Sequence, residues 1–200
     1  MERILFASPL YPGYWHSAGR ELSRLRVLTL GAMLLALRIV ISAVRIPVAD
    51  NLNIMFTYLP ESLIALICGP VVAPMVGAAG DILGYFMHPD GGFFPGYTLS
   101  AMLTALIYAL FLYRARITVL RLAFAKLLVN GLVNVLLGSL WSSVMYGKGY
   151  LYYFAKSAVK NTIMLPVEII VLTLVLSILL PVLSRSGITP PQTDKRIRFV

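Results

Sequence analysis

Six stretches of apolar residues, divided by short runs of Gly, Pro and charge, organise the chain. The first runs from about Val27 to Arg45, the second from about Ile54 to Gly69 and the third from about Pro70 to Met87. The fourth covers about Tyr97 to Tyr113, the fifth about Ile117 to Tyr146 and the sixth about Lys156 to Leu183. Crossing a bilayer core takes ~20 helical residues, with a range of about 17–25. The second and third stretches are marginal alone for that task and carry Pro60, Glu61 and Asp81, while the fifth is long enough to tilt. Gly69-Pro70 separates the short pair, either as a tight turn between two spans or as the junction of two interfacial half-helices. The pattern predicts an all-α membrane protein, a compact bundle of six transmembrane helices over 27–183. Residues 1–26 form a cytoplasmic extension, with no apolar core and cleavage site of a signal peptide. Residues 184–200 form a basic cytoplasmic tail.

Composition agrees. Of 200 residues 59% are apolar and 12% charged, where soluble chains run roughly 45–50% and ~25%. Mean hydropathy is +0.84. A soluble domain of this size could not hide that much apolar surface. The net charge of +9 fits cytoplasmic loops rich in Lys and Arg better than nucleic-acid binding. With six spans, eleven of the seventeen basic residues lie on the side of the termini: Arg3, Arg20, Arg24, Arg26, Arg114, Arg116, Arg121, Arg185, Lys195, Arg196 and Arg198. Both termini are therefore expected in the cytoplasm. Trp141, Tyr146, Tyr150, Tyr152 and Tyr153 are expected to form an outer aromatic belt. Cys68 cannot form an internal disulfide, and with His16 and His88 it makes no metal set.

Charges within spans are costly and usually face a bundle interior or a cavity. Span directions place Arg45, Tyr58, Glu61, Asp81, Lys156, Lys160 and Asn161 in the outer half, under a Gly/Pro-rich loop from His88 to Gly96. That convergence predicts an outward-facing pocket. Structural ion pairs, such as Arg38 with Asp81 or Glu168, are the alternative. Arg38 and Arg45 share one face of the first helix, with Ala32 and Ala36 near the opposite face. Small residues at that spacing admit a close helix neighbour, inside the bundle or outside it. Asn130 and Asn134 are expected to bond between helices. No nucleophile elbow, zinc-protease pair or phosphate loop appears, so no enzyme chemistry and no cofactor are expected.

Several runs resemble the substrate-binding S components of energy-coupling factor (ECF) vitamin transporters, most of all the folate type. They are Ala32-Met-Leu-Leu-Ala36, Leu59-Pro60-Glu61, Gly69-Pro70, Gly80-Asp81-Ile-Leu-Gly84, Phe93-Phe94-Pro95-Gly96-Tyr97-Thr98-Leu99-Ser100, and Lys160-Asn161 with Leu165-Pro166. The resemblance covers about residues 25–183. It implies a six-helix vitamin binder of the bacterial cytoplasmic membrane, served by a membrane scaffold subunit and two ATPase subunits, that topples to release its cargo. It also implies scaffold contact at Ala32 and Ala36, and closure over the vitamin by about Pro47–Asn53 and His88–Pro95. Lys156 stands where an Arg is expected. Folate's pterin offers an amino group beside a ring nitrogen, which a carboxylate accepts in two-point contact, with Asp81 first and Glu61 second. Phe56, Tyr58, Phe86, Phe93, Phe94 and Tyr97 offer walls for the flat ring, and Arg45, Lys156 and Lys160 offer cations for the glutamate tail. An S component for another vitamin, riboflavin or pantothenate, and a six-span structural membrane protein are the competing readings.

Overall fold

A computed structural model describes residues 12–49, 52–87, 92–147, 149–190 and 197. A short helix, α1 (Pro12–Glu21), precedes α2 (Leu25–Ser42), and an antiparallel hairpin of β1 (Arg45–Ala49) and β2 (Leu52–Met55) follows. Next come α3 (Tyr58–Met87), α4 (Pro95–Leu112) and α5 (Val119–Leu128). A π-helical stretch (Val129–Leu137) carries α5 into α6 (Gly138–Tyr146), making one apolar rod from Val119 to Tyr146, and α7 (Tyr150–Arg185) closes the bundle.

The backbone of α3 reverses at Gly69, with φ +75° and ψ 179°. The neighbours of α2 show the reversal. Val27 O accepts from Cys68 Sγ, and Gly31 faces both Cys68 and Val76. Further along, Arg38 reaches Glu61 and packs on Gly80. The arm 58–68 therefore runs antiparallel to α2 and the arm 70–87 parallel to it. A tight turn, rather than two interfacial half-helices, is what Gly69-Pro70 makes. Only a residue without a Cβ fits, because φ is positive and the Tyr113 ring lies 2.9 Å from where a Cβ would stand.

The second arm packs on α4, with Gly77 against Ala101 and Asp81 bonded to Thr98. α4 descends to Tyr113 beside the Gly69 turn, α5 to α6 ascend, and α7 descends. α1, Gly69, the 113–118 turn and Ser186 share one end of the bundle; the hairpin, residues 92–94 and Gly147 share the other. Tyr108, Leu112, Leu122, Leu172 and Leu176 fill the core below the middle.

α7 shows how the two environments sort a sequence. Tyr153, Ser157, Asn161, Met164 and Glu168 recur at three- and four-residue spacing on its inner face. Val159, Ile163, Val167, Ile170, Leu174, Ile178 and Val182 are exposed on the other, where lipid would meet them.

The N-terminal segment has structure of its own. Tyr14, Ala18 and Glu21 turn inward at helical spacing. Tyr14 Oη donates to Ala109 O at 2.9 Å, a second bond to a carbonyl of the last turn of α4 that also accepts from Tyr113 N. Glu21 is 0% exposed and accepts from Arg114 Nη2 at 2.8 Å, from the Tyr113 hydroxyl at 3.1 Å and from Arg24 Nη1 at 3.1 Å. A buried carboxylate with two cations and a phenol is paired, as burial requires.

Two boundaries and the place of one aromatic differ from those the sequence predicts. The first helix ends at Ser42, because β-branched Val44, Ile46 and Val48 favour extended backbone and Pro47 disfavours helix in the residue before it. Arg45 thus opens β1 opposite Met55 and shares no helix face with Arg38. α7 starts at Tyr150, six residues before the predicted Lys156, just beyond the left-handed Gly147. Trp141 is no belt residue: its Nε1 donates to Ser100 Oγ at 3.0 Å and its ring packs on Phe94.

Gly69→Ala is expected to lower the melting temperature of the detergent-solubilised protein by several degrees, since Ala at positive φ is strained and its methyl displaces Tyr113. A melting temperature within about 1 °C of the wild type would mean that the turn tolerates a side chain.

Candidate functional site

The reversal at Gly69 brings together the charges that a straight α3 would separate. A rod at ~1.5 Å per residue would set Glu61 and Asp81 about 30 Å apart. Folded back, Glu61 lies about 12 Å and Asp81 about 18 Å from the turn. Both line one cavity of about 380 Å³, among Arg38, Tyr58, Tyr97, Lys156, Lys160 and Asn161.

The cavity has two tiers. Near the floor, Arg38 Nε donates to Glu61 Oε1 at 2.8 Å, and Lys126 Nζ lies 3.3 Å from Glu168 Oε2. Asn130 Nδ2 donates to the same Glu168 oxygen at 2.7 Å, and Asn134 Nδ2 donates to Asn130 Oδ1 at 3.0 Å. Lys126 Nζ also sits over the Tyr58 ring, 4.0 Å from its centroid. Higher up, Thr98 Oγ1 donates to Asp81 Oδ2 at 2.7 Å, and the hydroxyls of Tyr97 and Ser142 lie 3.2 Å apart. Ser157 Oγ donates to Asn134 O at 3.1 Å, joining α7 to the π-helical stretch. Four cations, Arg38, Lys126, Lys156 and Lys160, meet three carboxylates, Glu61, Asp81 and Glu168. That balance suits an anionic guest.

A second chamber of about 220 Å³ adjoins the first, and the two share Arg38, Met55, Thr57, Asp81 and Tyr97. It adds Tyr85, Phe93 and Phe94. Tyr85 and Phe93 meet edge to face at 5.3 Å, and Phe94 packs on Tyr97 at 6.1 Å. Asp81 thus stands where an aromatic chamber opens into a chamber bearing lysines.

The hairpin explains the cavity's upper wall. The arm 58–68 is about 16 Å long, so the chain entering it at Tyr58 comes well down into the bundle. Ile54, Met55 and Thr57 consequently line the cavity.

Of the residues predicted from sequence, Arg38, Tyr58, Glu61, Asp81, Tyr97, Lys156, Lys160 and Asn161 line the larger chamber, and Phe93 and Phe94 the smaller. Phe86 does not join them: it is 74% exposed and lines neither chamber. The side chain of Arg45 lies outside the described part, as do Asp50, Asn51 and His88–Gly91 of the two predicted closing loops. Ala32 and Ala36 lie exposed on the outer side of α2. Glu168 pairs with Lys126, not with Arg38, because the short arm brings Glu61 to the guanidinium first. Lys126 and Thr98 were missed as site residues. The helical stripe through Ser157, Asn161, Met164 and Glu168 held a readable signal for Glu168; a lone Lys126 in an apolar span held little.

Known proteins share this architecture. The sequence profile of the ECF-type riboflavin transporter S component family matches residues 23–185. The folate transporter FolT of Clostridium novyi (strain NT) is 32% identical over 151 residues, or 76% of this chain and 88% of its own. The folate transporter FolT of Leuconostoc mesenteroides is 34% identical over 151 residues, covering 72% and 80%. A crystal structure of FolT bound with folic acid superposes with a TM-score of 0.67 at 35% identity, over 74% of this chain and 89% of that one. A multi-pass membrane bundle with a polar cavity at one end, matched over most of its length by these proteins, belongs to the family of ECF transporter S components.

Proposed function

We propose that this chain is a folate-binding S component, taking the vitamin from outside a bacterial cytoplasmic membrane. The observation that carries the reading is the joined pair of chambers. Asp81, at their junction, can accept the pterin amino group and its neighbouring ring nitrogen in a two-point contact, with Glu61 next in reach. Phe93, Phe94 and Tyr97 supply walls for a flat ring, with Tyr58 below them. Lys156 and Lys160 offer charge to a glutamate tail, Arg38 adds to it from the cavity floor, and Asn161 adds a neutral donor. The cation excess favours a dianionic guest such as folate over neutral riboflavin, and the FolT relatives support the same choice.

The protein has no ATP-binding loop in its sequence. In this reading a membrane scaffold subunit and two ATPase subunits drive its toppling and the release of cargo. The end bearing α1 and the 113–118 turn faces the cytoplasm, following the Lys and Arg bias. The cavity then opens outward. Ala32 and Ala36, small and exposed on α2, are the contact for the scaffold.

Calorimetric titration of ligand-depleted protein against folate, riboflavin, thiamin, biotin and pantothenate tests the substrate. One-to-one binding of folate alone is expected; saturable binding of riboflavin alone would transfer the assignment to the vitamin in the family's descriptive name. Asp81→Ala is expected to remove folate binding while folded yield holds, since among the described residues Asp81 accepts from a single hydroxyl. Loss of the fold instead would mark Asp81 as structural. Neutralising Lys156 or Lys160 should weaken folate more than pteroate, which lacks the glutamate tail, and equal losses would move the tail elsewhere. Leu at both Ala32 and Ala36 should block co-purification with the scaffold and ATPase subunits but spare folate binding; undiminished assembly would refute the interface.

A further inference from the structure

Lys126 is 2% exposed, within an apolar span, yet it lines the larger chamber. An ammonium there is expensive, and a buried ion pair contributes little stability beyond what apolar residues of the same size would give. Its surroundings hold it in one place. An ammonium carries three N–H donors. Glu168 Oε2, 3.3 Å away, takes one, and the Tyr58 ring, centred 4.0 Å from Nζ, faces another. Glu168 is itself fixed by Asn130, and Asn130 by Asn134, within the π-helical stretch. Such stretches of π geometry often mark functional sites.

We propose that Lys126 is a specificity-determining residue, whose third proton is donated to an oxygen of the bound ligand at the cavity floor. The inference rests on the folate reading above. Folate carries suitable oxygens at its two ends, the ring carbonyl of the pterin and the carboxylates of the glutamate tail, with one amide carbonyl between them; a guest lying end-on puts one of its ends at the floor. A charged donor in a dry site discriminates strongly against a ligand that lacks its acceptor.

The test compares three probes by calorimetry: folate, aminopterin (with an amino group in place of the ring carbonyl) and pteroate (without the glutamate). The double variant Lys126→Gln with Glu168→Gln removes both charges together and leaves no buried carboxylate unpaired. It is expected to weaken folate about tenfold or more. The probe that lacks the contacted oxygen should change by no more than about threefold: aminopterin if the ring carbonyl is read, pteroate if the tail is read. Lys126→Arg keeps the pair with Glu168 and serves if the double variant does not fold; it should weaken folate and spare that same probe. Equal losses on all three probes would show a pair that only shapes the floor, and would overturn the proposal. So would unchanged folate affinity in a folded variant. Failure of the folded wild type to bind folate would instead remove the folate reading itself.

Discussion

Gly69 holds a backbone conformation that side chains resist, and the Tyr113 ring rests against the place where a Cβ would stand. The chain reverses there because nothing larger than hydrogen fits. The two carboxylates of α3 are placed by that reversal. It brings Glu61 alongside Arg38, sets Asp81 one tier above, and leaves a gap that α5, the π-helical stretch and α7 line with polar groups. A straight α3 would strand Glu61 and Asp81 at opposite ends of a rod, each in need of a separate partner in lipid.

The charges follow the rule for media of low dielectric. Arg38 has Glu61, Lys126 has Glu168, and Glu21 has Arg24 and Arg114. These pairs are not equivalent. The Glu21 cluster lies at the end of the bundle opposite the cavity and ties α1 to the turn after α4, so it holds the helix ends together. The two pairs at the cavity floor face the space a ligand would fill. Asp81 differs again, since among the described residues a single hydroxyl, from Thr98, holds it. A carboxylate held by one neutral donor retains acceptor capacity for a guest.

Much of this was legible in the sequence because lipid imposes a simple code. Apolar length gave the spans, and an intramembrane charge such as Asp81 or Lys160 pointed to the interior. Gly69-Pro70 could be read as a turn from residue type alone, though not distinguished from a pair of half-helices, since only packing decides whether the arms fold together. The hairpin was hidden in what reads as the loop between the first two spans. Arg45-Ile-Pro-Val-Ala is apolar enough for a membrane helix, and its β character rests on Pro47 and branched neighbours. Pairing was the least readable layer. Glu168 finds Lys126 rather than Arg38 because of how deep the short arm carries Glu61, a distance that spacing along one helix does not encode. Phe86 failed for a similar reason: its neighbour Tyr85 turns toward the smaller chamber, and one step along a helix turns the next ring out.

The arm 58–68 also constrains how the protein is made. At eleven residues and about 16 Å it covers roughly half of a hydrocarbon core ~30 Å thick. Such a segment cannot be integrated as an independent span, because its upper backbone would meet lipid with unpaired donors. It enters only as one limb of a hairpin with 70–87, and its upper end stays unsheltered until α5, α6 and α7 have followed. Assembly order is therefore written into this fold: the first half of the chain provides a frame with an open polar seam, and the last helix synthesised closes it.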